Sequence, residues 1–279
     1  MVSPLGALSS ALPRGDRSAI RSVVLEILSF DEAPLQELRY LNAARGGGTE
    51  VCRLTIERAR VRGLPAGLDA LIATSDLQGV VARRAGEMVL LGVAVAEALD
   101  ELAFDDHLPP AGRTGVVLAG DLYSVPGAGK RGGHGDVTPV WQAFAERFAW
   151  TVGGAGNHDD VDGAVLLDGA HVLDGDVIDQ DGLRIGGVGL ICGNPETRGR
   201  RDEDEQLGWV DRVLHLGCDL LSFTRGQAAR SISLAIRGSA GRSSAAGWGS
   251  RCAATFTGHA RSPRTQLVRS STSIPGWSC

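Results

Sequence analysis

The sequence lacks acidic residues altogether after Asp219, and this absence divides the chain into two compositions. All 33 Asp and Glu residues lie at or before Asp219, whereas residues 220–279 contain eight Arg and twelve Ser. Lysine is almost absent as well, since Lys130 is the only one. The net charge of −5 argues against a uniformly basic surface for nucleic acid. We therefore expect no nucleic-acid binding and interpret the two parts of the chain separately.

Paired cysteines and long apolar runs are also missing. The five cysteines are odd in number, scattered and without a C-x-x-C spacing, which argues against a disulfide framework and a zinc-thiolate site. No run reaches the roughly 18 apolar residues of a membrane span, and the first residues do not resemble a signal peptide. We expect a cytoplasmic protein that has no contact with a membrane.

Hydrophobic periodicity organises the remaining chain. An amphipathic pattern within residues 1–48 predicts one or two helices, which would form an N-terminal extension. Within residues 49–221, short apolar segments alternate with helical patterns, as in an α/β fold whose sheet is covered by helices. We therefore divide the chain into a helical extension (1–48), a core (49–221) and an aberrant tail (222–279).

Polar residues follow three of the apolar segments in the core. They are Asp76 in TSDLQG, Asp121 in AGDLYS, and Asn157, His158 and Asp159 in GNHDD. Strand ends converge at the carboxyl edge of an α/β sheet, so these residues can share one site. A single G-D pair is usually a turn or a helix cap, but the run GNHD after a buried strand favours a functional site. Oxygen ligands suit Mn²⁺ or Mg²⁺, and Fe or Zn²⁺ also accepts imidazole.

The order of these motifs resembles the calcineurin-like metallophosphoesterase family, in particular a bacterial subgroup that shares the segment RIGGVGLICGNP. The family pattern is D-x-H, G-D-x-x, G-N-H-[DE], a lone His and G-H-x-H. The resemblance covers roughly residues 50–221 and implies a four-layered α/β/β/α sandwich that holds two divalent metal ions. We expect this sandwich to be incomplete or disordered at its carboxyl-terminal end. It also implies hydrolysis of a small phosphoester, in which hydroxide attacks phosphorus.

The resemblance assigns a role to each motif residue. Asp76 and Asn157 would be metal ligands, and Asp121 would bridge the two metals. His158 would be the catalytic histidine that assists the phosphate and the leaving group, and Asp159 would orient it through a hydrogen bond.

Gln78 departs from the family pattern, which has histidine at this position. Its amide oxygen can still coordinate a hard cation, although more weakly than imidazole. We therefore count Gln78 as a metal ligand and expect manganese first among Mn, Fe, Mg and Zn.

Two other motifs fail as nucleotide-binding signatures. In SVPGAGKRGG, which begins at Ser124, this serine replaces the first glycine of a phosphate-binding loop. Arg131 replaces the final hydroxyl residue of that loop. In GGVGLICG, Cys192 occupies the last glycine position of a dinucleotide-binding loop. His134, in the same loop as Arg131, could reach the metal site, but a loop histidine is more often solvated.

The tail lacks the histidines that complete the family pattern. It offers only His259 in TGHARS, where Arg261 stands in place of the second histidine of G-H-x-H. A guanidinium group cannot ligate a metal, because it has no acceptor. We therefore expect a half-built site with very low activity. The alternative is a non-catalytic binding module of the same fold. The substrate stays open among monoesters, diesters, nucleotides and phosphoproteins, as does the oligomeric state.

A shifted reading frame explains the composition of the tail. Residues 222–227 (SFTRGQ), written with the codons AGC TTC ACG AGG GGC CAG and read from the third base, give LHEGP. In the same frame, residues 253–258 (AATFTG) can give GHVHW, and residues 269–279 (RSSTSIPGWSC) can give VLNVDSRVVV. These are the lone-histidine strand, the missing G-H-x-H and a closing strand, in family order. Our hypothesis is a single-base deletion near Leu221, and the alternative is a natural low-complexity tail.

Sequencing the gene across codons 219–224 in independent isolates tests this hypothesis. We expect related copies of the gene to carry one additional base near codon 221 and to encode LHEGP beyond it. The same uninterrupted frame in independent isolates would contradict the deletion.

Overall fold

The computed structural model describes residues 25–130, 132–163, 166–224, 233–236, 256–258 and 265–273, and these form a mixed α/β fold. Its helices are α1 (Leu91–Phe104), α2 (Thr138–Ala145) and α3 (Glu203–Leu216). The strands in chain order are β1 (Glu26–Phe30), β2 (Gln36–Ala43), β3 (Thr49–Arg62), β4 (Ala70–Thr74), β5 (Val80–Ala82), β6 (Met88–Leu90), β7 (Thr114–Leu118), β8 (Gly135–Asp136), β9 (Trp150–Gly153), β10 (Asp159–Asp160), β11 (Ala170–Val172), β12 (Asp176–Gln180), β13 (Leu183–Val188), β14 (Ile191–Cys192), β15 (Arg200–Arg201), β16 (Leu220–Phe223), β17 (Ser233–Ile236), β18 (Phe256–Gly258) and β19 (Thr265–Ser273).

Four parallel strands form one half of the large sheet, in the order β11, β9, β7 and β4. Every residue of β4, β7 and β9 is buried, as expected for parallel strands covered on both faces. The large sheet continues through β19, β18, β3, β2, β5 and β6, and β1 pairs with β3. Because β4, β7 and β9 run in the same direction, their carboxyl ends meet at one edge.

A smaller sheet contains β12, β13, β16 and β17 in that order. The hairpin of β12 and β13 is antiparallel, and β13 pairs in parallel with β16. Helix α3 leads from β15 to β16, which begins two residues after Cys218.

Three apolar cores join the sheets and helices. The first lies between the large sheet and helices α1 and α2, and contains Trp141 and Phe144. The second lies between the two sheets, where Val117 and Trp150 of the large sheet share a cluster with Ile185 of the small one. The third packs α3 against the small sheet. The helices therefore cover the outer face of each sheet.

The predicted helical extension is wrong where the structure describes it. Residues of this segment form β1 and β2, which belong to the same sheet as β3, and the boundary at residue 48 falls inside the hairpin of β2 and β3. In β2, Leu38 and Tyr40 face inward while Glu37 and Arg39 are exposed, so the period of two prevails over the helical period. Residues 1–24 lie outside the described residues.

The described parts of the tail form strands, so the expectation of an incomplete carboxyl-terminal end is wrong for these segments. β17 pairs with β16, and β18 and β19 join the large sheet beside β3. The three segments that give family motifs in another frame each overlap a strand, namely β16, β18 or β19. Ser222, the first residue of the tail, is fully buried, and its hydroxyl has no hydrogen-bond partner within the described structure.

In the described part of the chain, no helix combines the length and apolar character needed to cross a membrane.

Replacing Gly115 with alanine tests the packing of β7 against β9. A Cβ at Gly115 would lie 2.2 Å from Cζ2 of Trp150, whose ring is held because its Nε1 donates to Asp181 at 3.0 Å. We expect Gly115→Ala to lower the free energy of unfolding by about 1–3 kcal/mol in chemical denaturation, because overpacking displaces the ring. Gly112→Ala is the control, since a Cβ there meets nothing within 4 Å. Equal stabilities of the two variants would contradict this packing.

Candidate metal centre

Tight turns after β4 and β7 carry Asp76 and Asp121. Both residues have left-handed backbone angles, with φ of 53° and 57°. This conformation is uncommon for residues other than glycine but is enriched for aspartate. The N–H of Asp76 donates to the carbonyl of Gly120 at 3.0 Å, so the two turns are bonded to each other. The structure thus brings together the first two predicted ligands.

Glycines allow the turns after β7 and β9 to approach closely. A Cβ at Gly120 would lie 2.6 Å from the backbone nitrogen of Gly156, and a Cβ at Gly156 would lie 2.3 Å from Oδ1 of Asp121. Gly120 also has a φ of 78°. The glycines of the GD and GNHD motifs are therefore required by the contact between the two loops.

Asp121 carries a strongly perturbed carboxylate. Burial, followed by the charges of Asp159 and Asp76, raises the pKa of Asp121 from its ordinary value of 3.8 to about 7. The backbone N–H groups of Asn157 and His158 partly oppose this rise. Oδ1 of Asp121 is buried and has no hydrogen-bond partner within the described residues. A buried acceptor of this kind is unfavourable unless a donor or a cation occupies the space beside it.

Asp76 lies in a recess. Its side chain is exposed to solvent, yet desolvation by the surrounding protein raises its pKa. The hydroxyl of Ser75 donates to Asp76 Oδ2 at 2.6 Å and opposes the rise. A carboxylate that is both enclosed by protein and reachable from solvent is suited to binding a ligand from solution.

Asp159 joins the two loops, and the expectation that it orients His158 is wrong in this structure. Its Oδ1 accepts the N–H groups of Leu122 at 2.8 Å and Tyr123 at 3.0 Å. Its Oδ2 accepts the N–H of Gly156 at 2.8 Å. Burial raises the pKa of Asp159, and these N–H groups oppose the rise. Both oxygens bond to the backbone because the loops leave these N–H groups without strand partners, so Asp159 has a structural role.

His158 is oriented instead by the backbone of the glycine-rich loop. Its Nδ1 lies 2.7 Å from the carbonyl oxygen of Gly133. A carbonyl can only accept, so Nδ1 carries the proton and Nε2 stays free for a substrate. The sequence did not reveal this partner, because nothing in the letters shows which loop carbonyl faces the ring.

The other two predicted ligands differ in their placement. Asn157 is buried, and the loop that precedes β15 packs on it, because a Cβ at Gly199 would lie 2.5 Å from the Asn157 carbonyl oxygen. Gln78 is half-buried, and its side chain forms no hydrogen bond to the other motif residues within the described structure.

Thr224 is a neighbour of the site that sequence reasoning missed. Its hydroxyl donates to the carbonyl of Ala119 at 3.1 Å, and a Cβ at Gly120 would lie 2.5 Å from its Oγ1. The available signal was its place one residue after β16, at the end of another strand.

The predicted ligands share one chemical character, because each carries a side-chain oxygen. Among the described residues, no group of three or more His, Cys, Asp or Glu side chains is arranged to hold a metal ion. Asp76, Asp121 and Asn157 nevertheless carry side-chain oxygens, and Oδ1 of Asp121 lacks a partner within the described structure. Oxygen donors of this kind suit Mn²⁺ or Mg²⁺.

Comparisons of this chain with protein-family models, with curated proteins and with solved structures found no match. The motifs and the geometry of their residues are therefore the basis for the function proposed below.

The raised pKa of Asp121 predicts a dependence of stability on pH. Without metal, the folded chain keeps a proton on Asp121 that the unfolded chain loses between about pH 4 and about pH 7, so the free energy of unfolding falls as pH rises through this window. Asparagine cannot ionise, so Asp121→Asn should reduce the fall in melting temperature between pH 4.5 and pH 8 in the presence of a chelator.

Asp168→Asn is the matched control, because Asp168 is exposed in a turn before β11. It should leave the pH dependence unchanged. An identical pH dependence in Asp121→Asn and the unsubstituted chain would contradict the assigned cause.

Proposed function

We propose that this chain is a metal-dependent phosphoester hydrolase of the calcineurin-like type, with activity lowered by an incomplete ligand set. The observation that carries the proposal is the meeting of three strand ends, where Asp76, Asp121 and Asn157 with His158 lie around one recess. Ligand sites of α/β sheets lie at this edge. The order of the motifs along the chain is the order of that family.

The packing of the layers supports the proposal. Helices α1 and α2 cover the large sheet, the small sheet packs on its other face, and α3 covers the small sheet. This succession is compatible with the four-layered α/β/β/α sandwich of metallophosphoesterases. The parallel pairing of β4, β7 and β9 brings the residues that follow these strands to one edge.

Asp121, Asp76 and Asn157 would hold a divalent cation. When bound, the cation would supply the positive charge that activates water and neutralises a phosphate. Asp121 is the central ligand, because its Oδ1 has no partner within the described residues and its pKa is raised by Asp159 and Asp76. Manganese is the first choice, because every donor is an oxygen and Gln78 replaces the usual histidine.

His158 would act on the leaving group. Its Nδ1–H donates to the Gly133 carbonyl, which leaves Nε2 to face the substrate, where it donates when the ring carries a second proton. A protonated Nε2 can donate to a phosphate oxygen or to the departing oxygen. Asp159 would contribute indirectly, by fixing the loop that carries His158.

We expect low turnover because the tail lacks histidine ligands that the family pattern requires. The resemblance requires three further histidine ligands, and after Asp219 the sequence has only His259, which lies outside the described residues. Without these imidazoles the second cation lacks ligands, so phosphate would be neutralised less completely.

A non-catalytic binding module is the second candidate function. The observation that favours it is the lack of a group of three His, Cys, Asp or Glu side chains suited to a metal within the described part of the chain. Such a module would keep the fold and would bind a cation weakly or not at all.

Metal binding and hydrolysis of bis(p-nitrophenyl) phosphate and p-nitrophenyl phosphate separate the two functions. We expect about one Mn²⁺ per chain by elemental analysis, because one oxygen ligand set is present. We expect slow hydrolysis that requires Mn²⁺ and falls at least about tenfold in Asp121→Asn, because the central ligand is lost.

Asp168→Asn again serves as the control and should keep both properties. No bound metal and no hydrolysis would favour the binding module. Hydrolysis that does not depend on Mn²⁺ or on Asp121 would contradict the proposed site, and fast turnover would contradict the role given to the missing histidines.

A further inference from the structure

His134 lies beside His158, although it belongs to none of the motifs. The centroids of the two imidazole rings are 5.6 Å apart and their planes are inclined by 40°. His134 is exposed, whereas His158 is half-buried. The pair therefore opens toward solvent on the side of His134, where a ligand can enter.

Hydrogen bonds on both sides of His134 fix its backbone next to His158. The Gly133 carbonyl accepts from His158 Nδ1 at 2.7 Å. The N–H of Gly135 donates to the His158 carbonyl at 3.2 Å. β8 and β10 continue this contact as a short parallel pair, with Gly135 opposite Asp159. The residue between these two glycines cannot move away from His158 without breaking the contacts.

The glycine-rich loop is also packed against Tyr123. A Cβ at Gly135 would lie 2.1 Å from Cε2 of the Tyr123 ring, and a Cβ at Gly133 would lie 2.9 Å from Cγ1 of Val125. Gly133 has a φ of 145°, which other residues rarely adopt. Since the N–H of Tyr123 donates to Asp159, the loop under His134 is tied to the same loops that form the site.

We propose that His134 is a substrate-binding residue that holds the phosphate group together with His158. The inference rests on the proposed function and names the part of the chain that binds the anion. Asp76 and Asp121 repel a phosphate, so donors must come from another side of the recess. The N–H of His134 and, when its ring carries a second proton, the Nε2–H of His158 can donate to different oxygens of one tetrahedral phosphate, each over about 2.8 Å.

The glycine-rich loop therefore has a phosphate-binding role that does not depend on a nucleotide-binding motif. Its glycines allow the backbone to approach His158, and its histidine supplies a side-chain donor. The contact is to the phosphate group itself, so it is compatible with monoesters and diesters alike.

Calorimetric titration of the full chain with inorganic phosphate, with and without Mn²⁺, tests the proposal. In His134→Ala we expect an unchanged dissociation constant for Mn²⁺ and a rise of about tenfold or more in that for phosphate, because a charge-assisted hydrogen bond is lost. His134→Gln, which keeps an N–H donor, should lose less affinity. His107→Ala is the control, because the His107 side chain is exposed after the end of α1.

The outcomes separate this inference from the proposed function. If the unsubstituted chain binds no Mn²⁺, the proposed metal site fails, and the titration without metal still decides the role of His134. If phosphate binds the His134→Ala variant as tightly as the unsubstituted chain, the inference is overturned. It is also overturned if the unsubstituted chain binds no phosphate in either condition.

Discussion

The carboxylate of Asp159 holds together the two loops on which the candidate site depends. It accepts N–H groups from the loop after β7 and from the turn that precedes Asn157. A buried carboxylate without such donors would be costly, and three backbone donors compensate for its desolvation. These hydrogen bonds fix the spacing of Asp121 and Asn157. Asp159 accepts the N–H groups of Leu122, which follows Asp121, and of Gly156, which precedes Asn157. The contact of Tyr123 with the glycine-rich loop follows as well.

The site concentrates negative charge in a place where water does not screen it fully. The pKa of Asp121 is raised as a result, because burial and two neighbouring carboxylates oppose its ionisation. Such an arrangement lowers the stability of the folded chain at neutral pH, and proteins retain it where a ligand relieves the repulsion. His158 lies on the same loop as Asn157 and Asp159, whereas His134 lies on the neighbouring glycine-rich loop and its ring faces that of His158. This pairing of loops would allow an anion to bind beside a cation that the carboxylates hold.

The sequence predicts best the elements whose burial is decided locally. β4, β7 and β9 are short apolar runs buried on both faces, so their positions and the polar residues after them could be predicted. β1 and β2 could not be predicted from the sequence, because their apolar spacing also fits a helix. Their pairing with β3 is what makes them strands.

The hydrogen-bond partners of the site residues were harder to predict than the residues themselves. The motif order brought Asp76, Asp121 and Asn157 to one edge, and the structure places them there. The bonds of Asp159 to the backbone and of His158 to Gly133 depend on how two loops cross, which residue types do not specify. Thr224 was missed for the same reason, since it approaches Gly120 only once β16 has joined the small sheet.

The position of β19 constrains how the chain can fold during synthesis. β19 comes from the last residues described, yet it lies between β3 and β4, pairing antiparallel with the first and in parallel with the second. The chain must therefore be synthesised as far as β19 before the two halves of the large sheet can join through it. Until then β3 and β4 expose unpaired edges, which are sites for aggregation. A change that alters β19 thus affects the middle of the large sheet and not one of its edge strands.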